Sequence, residues 1–135
     1  MTVLRCVVLV LSLNLLAGCS SQPAKGLPPV FSELQEVNDL LHAAAGPSVR
    51  APAKLADVGR YRSMFPRGYE AINSGNVVVL WGAALKGEGD VGKDEAVVAY
   101  EKDVPTSGGY VLLSAGTVKK MSAAEFAAAP KAGKK

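Results

Sequence analysis

The sequence AVVAYEKDVPTSGGYVLLSAGTVKKM, residues 96–121, decides the fold class. It contains three short segments rich in Val, Leu and Tyr, residues that favour β-strands, and Asp, Pro, Ser and Gly separate these segments. Ala115 and Gly116 predict a tight turn before the third segment, whose two lysines are typical of an edge strand. The three predicted strands, which we expect to pair antiparallel, are residues 96–100, 110–113 and 117–121.

A fourth strand is predicted upstream of this stretch. Residues 77–81 read VVVLW, another short β-rich segment, and extend the prediction to a four-stranded antiparallel meander. Trp81 and Tyr100 are expected to pack in the core, because the strands contain few other large side chains.

Downstream of the last strand, Ser122 and Glu125 have the spacing of a helical capping box. This predicts a short helix over residues 123–129, ended by Pro130. The remaining residues, 130–135, are a basic tail, which is predicted to be frayed from Lys131 to Lys135.

Residues 31–45 show the clearest helical pattern in the chain. Ser32 and Gln35 have the form of a capping box, and Gly46-Pro47 is a typical helix stop. The predicted architecture is α+β, with this helix over one face of the sheet. Its apolar face consists of Leu34, Val37, Leu40, Leu41 and Ala44.

A second, shorter helix is predicted after the first. Leu55, Val58 and Tyr61 recur every three positions, and the helix must end before Pro66. Residues 67–73 fit either another turn of helix or a loop.

The N-terminus is typical of an export signal. Arg5 precedes an apolar run, residues 6–18, that is interrupted only by Ser12 and Asn14. A transmembrane helix takes about 20 residues, so the run is too short to span a bilayer. A positive start, a short apolar core and small residues at its end describe a signal peptide.

The run ends in Leu16, Ala17, Gly18 and Cys19, which resemble the lipobox of bacterial lipoproteins. In that family the small residues are recognised by the signal peptidase and the cysteine accepts the lipid. The resemblance implies that Cys19 becomes the first residue and is anchored to a membrane by acyl chains. Ser20, rather than Asp, at the next position favours the periplasmic face of the outer membrane over the inner membrane.

The predicted chain therefore has four parts. Residues 1–18 are the signal peptide and residues 19–29 are the lipidated cysteine with a Pro- and Ser-containing tether. Residues 30–129 are a single α+β domain, and residues 130–135 are the basic tail.

The mature chain offers few groups for catalysis. Cys19 would be its only cysteine, so no internal disulfide can form. His42 is the only histidine and the mature chain has no free thiol, so there is no Cys/His dyad, no choice of histidine for a Ser/His/Asp triad and no imidazole metal cluster; no metal site of that kind and no cofactor are expected. Removal of Arg5 lowers the formal net charge from +3 to +2, too little to imply a nucleic-acid partner.

The glycine-rich segment GEGDVGKD, residues 87–94, matches the GxGxxG pattern and most of a P-loop. No nucleotide is expected, because a strand rather than a helix follows and Asp94 stands where a metal-binding hydroxyl is needed. Glu88, Asp90, Asp94 and Glu95 leave a weak calcium site open, although their spacing is not that of an EF-hand. A hairpin loop is the simpler interpretation.

Residues 50–67 contain five basic residues and only one acid, Asp57. Such a patch near the tether is a candidate contact to anionic lipid head groups or to a partner. A solvated helix face is the simpler alternative. The five residues are Arg50, Lys54, Arg60, Arg62 and Arg67.

The order of a long N-terminal helix, a connecting segment and a small antiparallel sheet resembles the globular head of type II secretion pseudopilins and related prepilin-type proteins. Ala115 stands where that family has the Asp of a turn, and the lipobox replaces the prepilin peptide and its hydrophobic helix. The resemblance therefore implies the fold and not the filament role. It is carried by AYEK (99–102), Pro105, GGYVLL (108–113), GTV (116–118) and EF (125–126).

Three functional hypotheses follow. The first is a non-enzymatic envelope lipoprotein that presents a small α+β domain to a protein partner. The second is an accessory component of a type II secretion or pilus-like system. The third, a hydrolase, rests only on scattered Asp, Glu and Ser residues.

Overall fold

The computed structural model describes residue 26 and residues 29–47, 51–86 and 95–133. The predicted α+β class, the four-stranded antiparallel sheet and the short C-terminal helix are all confirmed. The helices are α1 (Pro29–Ala45), α2 (Leu55–Val58), α3 (Pro66–Asn73), α4 (Val104–Ser107) and α5 (Ala123–Ala128), with a 3-10 turn at Gly59–Tyr61. The strands are β1 (Val77–Val79), β2 (Val97–Glu101), β3 (Gly109–Leu113) and β4 (Val118–Met121).

The sheet is a meander with the order β1-β2-β3-β4, so that β4 is an edge strand as predicted. One cross-strand row joins Val78, Tyr100, Val111 and Lys119. The β2–β3 register shifts between Val97 and Ala99, which breaks the alternation of faces along β2.

Both faces of the sheet are covered. The apolar side chains of α1, including Leu34, Val37 and Leu40, pack with Val98 and Leu112 on one face. We call this group of packed side chains the α1 core cluster. On the other face, α4 and α5 contribute side chains to a second core cluster, which consists of Val97, Val104, Val111, Leu113, Met121 and Phe126. Burial on both faces explains why β2 and β3 read as continuous apolar runs instead of alternating ones.

The predicted start of the first helix is wrong. Helix α1 begins at Pro29, so Ser32 and Gln35 lie inside the helix and do not cap it. A proline at the first helical position has its φ angle already set for a helix and lacks the N–H that would need a partner. The predicted stop is confirmed: Gly46 has φ 57° and its N–H donates to the His42 carbonyl at 3.1 Å.

The three-residue repeat at Leu55, Val58 and Tyr61 corresponds to a single α-helical turn followed by the 3-10 turn. A 3-10 helix has three residues per turn, so this spacing places the three side chains on one side. All three pack against the α1 core cluster. The segment left open between helix and loop is helix α3.

The C-terminal capping box is confirmed in both directions. The Glu125 N–H donates to Ser122 Oγ at 3.2 Å, and the Ser122 N–H donates to Glu125 Oε2 at 2.7 Å. The prediction of a frayed tail is wrong for Lys131 and Ala132. The Val97 N–H donates to the Pro130 carbonyl and the Ala132 N–H to the Val97 carbonyl, both at 2.8 Å, so the chain returns to the sheet.

Candidate functional site

The most exposed apolar side chain of the domain lies within the basic segment. Among the residues that the structure describes, Met64 is the one exposed large apolar side chain, at 65%. Residues 60–67, from the 3-10 turn to the first turn of α3, also expose three arginines. We call this surface the basic tip; it consists of Arg60, Arg62, Met64 and Arg67.

Two aromatic residues hold the basic tip in place. Tyr61 and Phe65 are half-buried and pack against the α1 core cluster. The Tyr61 carbonyl accepts the N–H groups of Met64, at 2.9 Å, and Phe65, at 3.1 Å. With the aromatic rings turned inward, the side chains between them are left on the outside as a preformed ridge.

Helix α1 caps the helix that follows the basic tip. Phe65 occupies the N-cap position of α3 and supplies no side-chain hydrogen bond there. Instead, Glu36 Oε2 accepts the Gly68 N–H at 2.7 Å and lies 3.5 Å from Arg67 Nε. A carboxylate satisfies an otherwise unpaired N–H at a helix start and interacts favourably with its positive end.

The two helices are in backbone contact at this position. A Cβ on Gly68 would lie 2.8 Å from both Glu36 C and Val37 N. Only glycine permits so close an approach. The contact fixes the basic tip relative to α1 and hence relative to the end of α1 where the chain enters the domain.

Four of the five predicted basic contacts can be placed. Lys54, Arg60, Arg62 and Arg67 are all exposed, and Arg50 lies outside the described residues. The structure groups the three placed arginines on the segment that Tyr61, Phe65 and Glu36 hold. Lys54 lies apart from them in the chain, at the start of α2.

The charges of this segment are partly satisfied within the fold. The Arg60 guanidinium lies 4.7 Å from the centroid of the Tyr61 ring. Asp57, the one acid of the segment, accepts the Ala53 N–H at 2.9 Å through Oδ2. Arg67 pairs with Glu36 but keeps 69% of its side chain exposed, against 14% for Glu36.

A surface groove beside β3 and β4 contains two carboxylates, Glu101 and Glu125. Glu101 Oε2 accepts the Tyr110 N–H at 2.5 Å. Glu125 belongs to the capping box, and the Ser122 N–H and hydroxyl, together with the charge of Lys119, lower the pKa of its carboxyl. Both carboxylates are therefore engaged with backbone groups of the fold.

The remaining predicted site residues belong to the lipobox and to the acidic, glycine-rich segment of the calcium alternative. Leu16, Ala17, Gly18 and Cys19 lie outside the described residues, as does the 87–94 segment of the calcium alternative. Glu95 is half-buried. Within the described part of the chain there is no group of three or more His, Cys, Asp or Glu residues that could hold a metal ion.

Trp81 and Tyr100 pack against the core as predicted, whereas His42 lies on the surface. His42 is exposed, with Nδ1 2.9 Å from the Asn38 carbonyl oxygen. Trp81 packs against the α1 core cluster, and the Tyr100 ring lies 4.7 Å from that of Phe126.

Glu36, Gly68 and Met64 were not predicted from the sequence. The sequence does indicate that α3 lacks a cap of its own, because Phe65-Pro66 can start a helix but offers no Ser, Thr, Asp or Asn at the cap position. A helix with that start needs a cap from elsewhere in the chain.

No protein-family model, no curated protein and no solved structure matches this chain. The lipobox and the likeness to pseudopilin heads therefore remain predictions from the sequence. No helix in the described ranges is both long enough and apolar enough to cross a membrane.

Proposed function

We propose that this protein is an exported lipoprotein, held on a bacterial membrane by lipid on Cys19, whose domain acts as a non-catalytic binding or structural module of the cell envelope. The observation that carries the proposal is the sequence Leu16-Ala17-Gly18-Cys19 directly after a short apolar run with Arg5 at its start.

The position of α1 supports a domain held close to that membrane. Helix α1 begins at Pro29, ten residues after Cys19. Ten residues span at most about 35 Å when fully extended. The anchor would therefore keep the N-terminal end of α1, and the elements packed on it, near the lipid surface.

The use of the carboxylates supports a role other than catalysis. Glu36, Asp57, Glu101 and Glu125 each accept a backbone N–H, so their geometry serves the fold. The lowered pKa of Glu125 keeps its carboxylate ionised, which is opposite to the raised pKa that a general acid needs.

Crosslinking in intact cells, followed by mass spectrometry of the captured proteins, tests the proposal. The full-length chain is compared with Cys19→Ala, which removes the predicted lipid acceptor, and with Cys6→Ala, which removes a cysteine from the predicted signal peptide. We expect the wild type and Cys6→Ala to stay with membranes after a high-salt wash and to capture the same envelope proteins, and Cys19→Ala to lose both properties.

Two results would contradict the proposal. One is a Cys19→Ala protein that stays in the membrane fraction after the same high-salt wash and captures the same proteins. The other is a specific enzymatic turnover that one substitution in the mature domain abolishes. Capture of type II secretion or pilus-like proteins by the anchored form would favour the accessory role that the pseudopilin resemblance suggests.

A further inference from the structure

We propose that the basic tip, formed by Arg60, Arg62, Met64 and Arg67, is a lipid-contact surface that lies against anionic head groups. The proposal rests on the proposed function for the identity of the membrane, but the contact itself needs no lipid on Cys19 and can be measured without it.

The basic tip is strongly cationic. Residues 60–67 read RYRSMFPR and contain three arginines and no acid. The nearest acids in the chain are Asp57, which is bonded to the Ala53 N–H, and Glu70, which is exposed on α3. Glu36 pairs with Arg67. Among the described residues, no acid pairs with the guanidinium groups of Arg60 and Arg62.

The basic tip combines arginine with an exposed apolar side chain. Guanidinium groups bind phosphate through two parallel hydrogen bonds and are weakly hydrated, which suits them to the head-group layer. Met64 projects from the same ridge, and its unbranched, polarisable side chain can enter the boundary between head groups and acyl chains.

The basic tip lies along the side of α1. Gly68, next to Arg67, contacts Glu36 near the middle of the helix, and Arg60 shares a groove with Ala44 and Ala45 at its C-terminal end. The helix is about 25 Å long and the predicted ten-residue tether reaches about 35 Å, so the anchor lets this side of the domain lie against the membrane. A cationic patch beside a lipid anchor strengthens binding to an anionic surface.

The domain also supplies a matched control surface. Lys119 and Lys120 are exposed on the edge strand β4, and Lys120 Nζ lies 5.9 Å from the centroid of the Tyr110 ring. Arg60→Gln/Arg62→Gln and Lys119→Gln/Lys120→Gln each remove two positive charges. Only the first pair belongs to the basic tip.

The experiment measures binding of the mature chain, residues 19–135 with Cys19→Ala, to vesicles of phosphatidylethanolamine and phosphatidylglycerol. This chain contains every helix and strand that the structure describes. Vesicles of phosphatidylcholine alone test the need for anionic lipid, and added salt tests the electrostatic part. Thermal unfolding of each variant confirms that it is folded.

We expect salt-sensitive binding to the anionic vesicles and little binding to phosphatidylcholine. Each arginine contributes about fivefold, so Arg60→Gln/Arg62→Gln should bind about 25-fold more weakly. Lys119→Gln/Lys120→Gln should stay within about twofold of the parent, and Met64→Ser should lose the fraction of binding that survives added salt.

Equal weakening by the two double variants would overturn the proposal, because it would show attraction by net charge alone. Failure of the folded parent to bind anionic vesicles would also overturn it, and would favour a protein partner for the basic tip. Neither result bears on lipid attachment at Cys19, which is measured separately, so failure of this inference and failure of the proposed function are distinguishable.

Discussion

The Glu36 carboxylate of α1 accepts the backbone N–H of Gly68 at 2.7 Å and so supplies the N-terminal cap that α3 lacks in its own sequence. The same helices touch through their backbones, because Gly68 has no Cβ. This relationship orients the segment that carries Arg60, Arg62, Met64 and Arg67. The stability of α3 and the placement of the basic tip therefore depend on residues that are distant in the sequence.

Gly68→Ala should destabilise the protein. The new methyl group would lie 2.8 Å from backbone atoms of Glu36 and Val37, which cannot move without shifting α1. Overpacking of this kind costs about 1–3 kcal/mol. Urea unfolding measures the loss, and Gly59→Ala is the control, because a Cβ there meets nothing within 4 Å and the Gly59 backbone is helical. Equal effects of the two substitutions would contradict the close helix contact.

Glu36→Gln should lower the free energy of unfolding by about 1 kcal/mol, because a neutral amide is a weaker acceptor than a carboxylate and loses the ion pair with Arg67. Glu33→Gln, on the same helix, removes the same charge but no hydrogen bond or ion pair to α3, and should have little effect. Hydrogen exchange at the Gly68 amide adds a local measurement. Unchanged protection in Glu36→Gln would contradict the capping role.

The capping box of α5 should make stability depend on pH. Hydrogen bonds from Ser122 hold the folded pKa of Glu125 below its ordinary value of 4.5. The stabilisation is therefore present above that value and is lost as the pH falls through the lower, folded pKa. In urea titrations from about pH 6 to pH 3, the stability difference between the wild type and Glu125→Gln should shrink. A difference that stays constant or grows would contradict this linkage, and Glu70→Gln is the control.

Lys131 should hold the returning C-terminal segment in place. Its Nζ donates to the carbonyl groups of Phe126 and Ala129, and it lies 4.4 Å from the centroid of the Phe126 ring. Lys131→Met should cost about 0.5–1 kcal/mol, because a cation at a helix C-terminus is stabilising. Exchange of the Val97 amide, which donates to Pro130, should accelerate. Lys54→Met, at an exposed position, is the control, and equal exchange rates in the two variants would contradict the role of Lys131.

The strands were predictable because their apolar residues signal burial directly. The segments at residues 96–100 and 110–113 are continuous apolar runs bounded by turn residues, and their pairing follows from short connections. The small helix α4 between them was missed. At four residues, with Pro105 in its first turn, it is too short to show a period.

The elements that the sequence left open or misplaced depend on contacts between distant residues. Helix α3 takes its cap from Glu36, 32 positions away, so no local pattern decides between helix and loop. The return of residues 130–132 to Val97 is a backbone pairing, which side-chain periodicity does not report. At the basic tip, charge alone predicted the arginines, whereas the exposure of Met64 depends on Tyr61 and Phe65 occupying the interior.

Lipid attachment at Cys19 is the central claim, and mass spectrometry of the N-terminal peptide, from protein purified out of bacterial membranes, tests it most directly. We predict a peptide that begins at Cys19 and carries a diacylglyceryl group on the thiol, unchanged in quantity in Cys6→Ala and absent in Cys19→Ala. A mature N-terminus elsewhere, or an unmodified Cys19 thiol in membrane-purified protein, would contradict the claim.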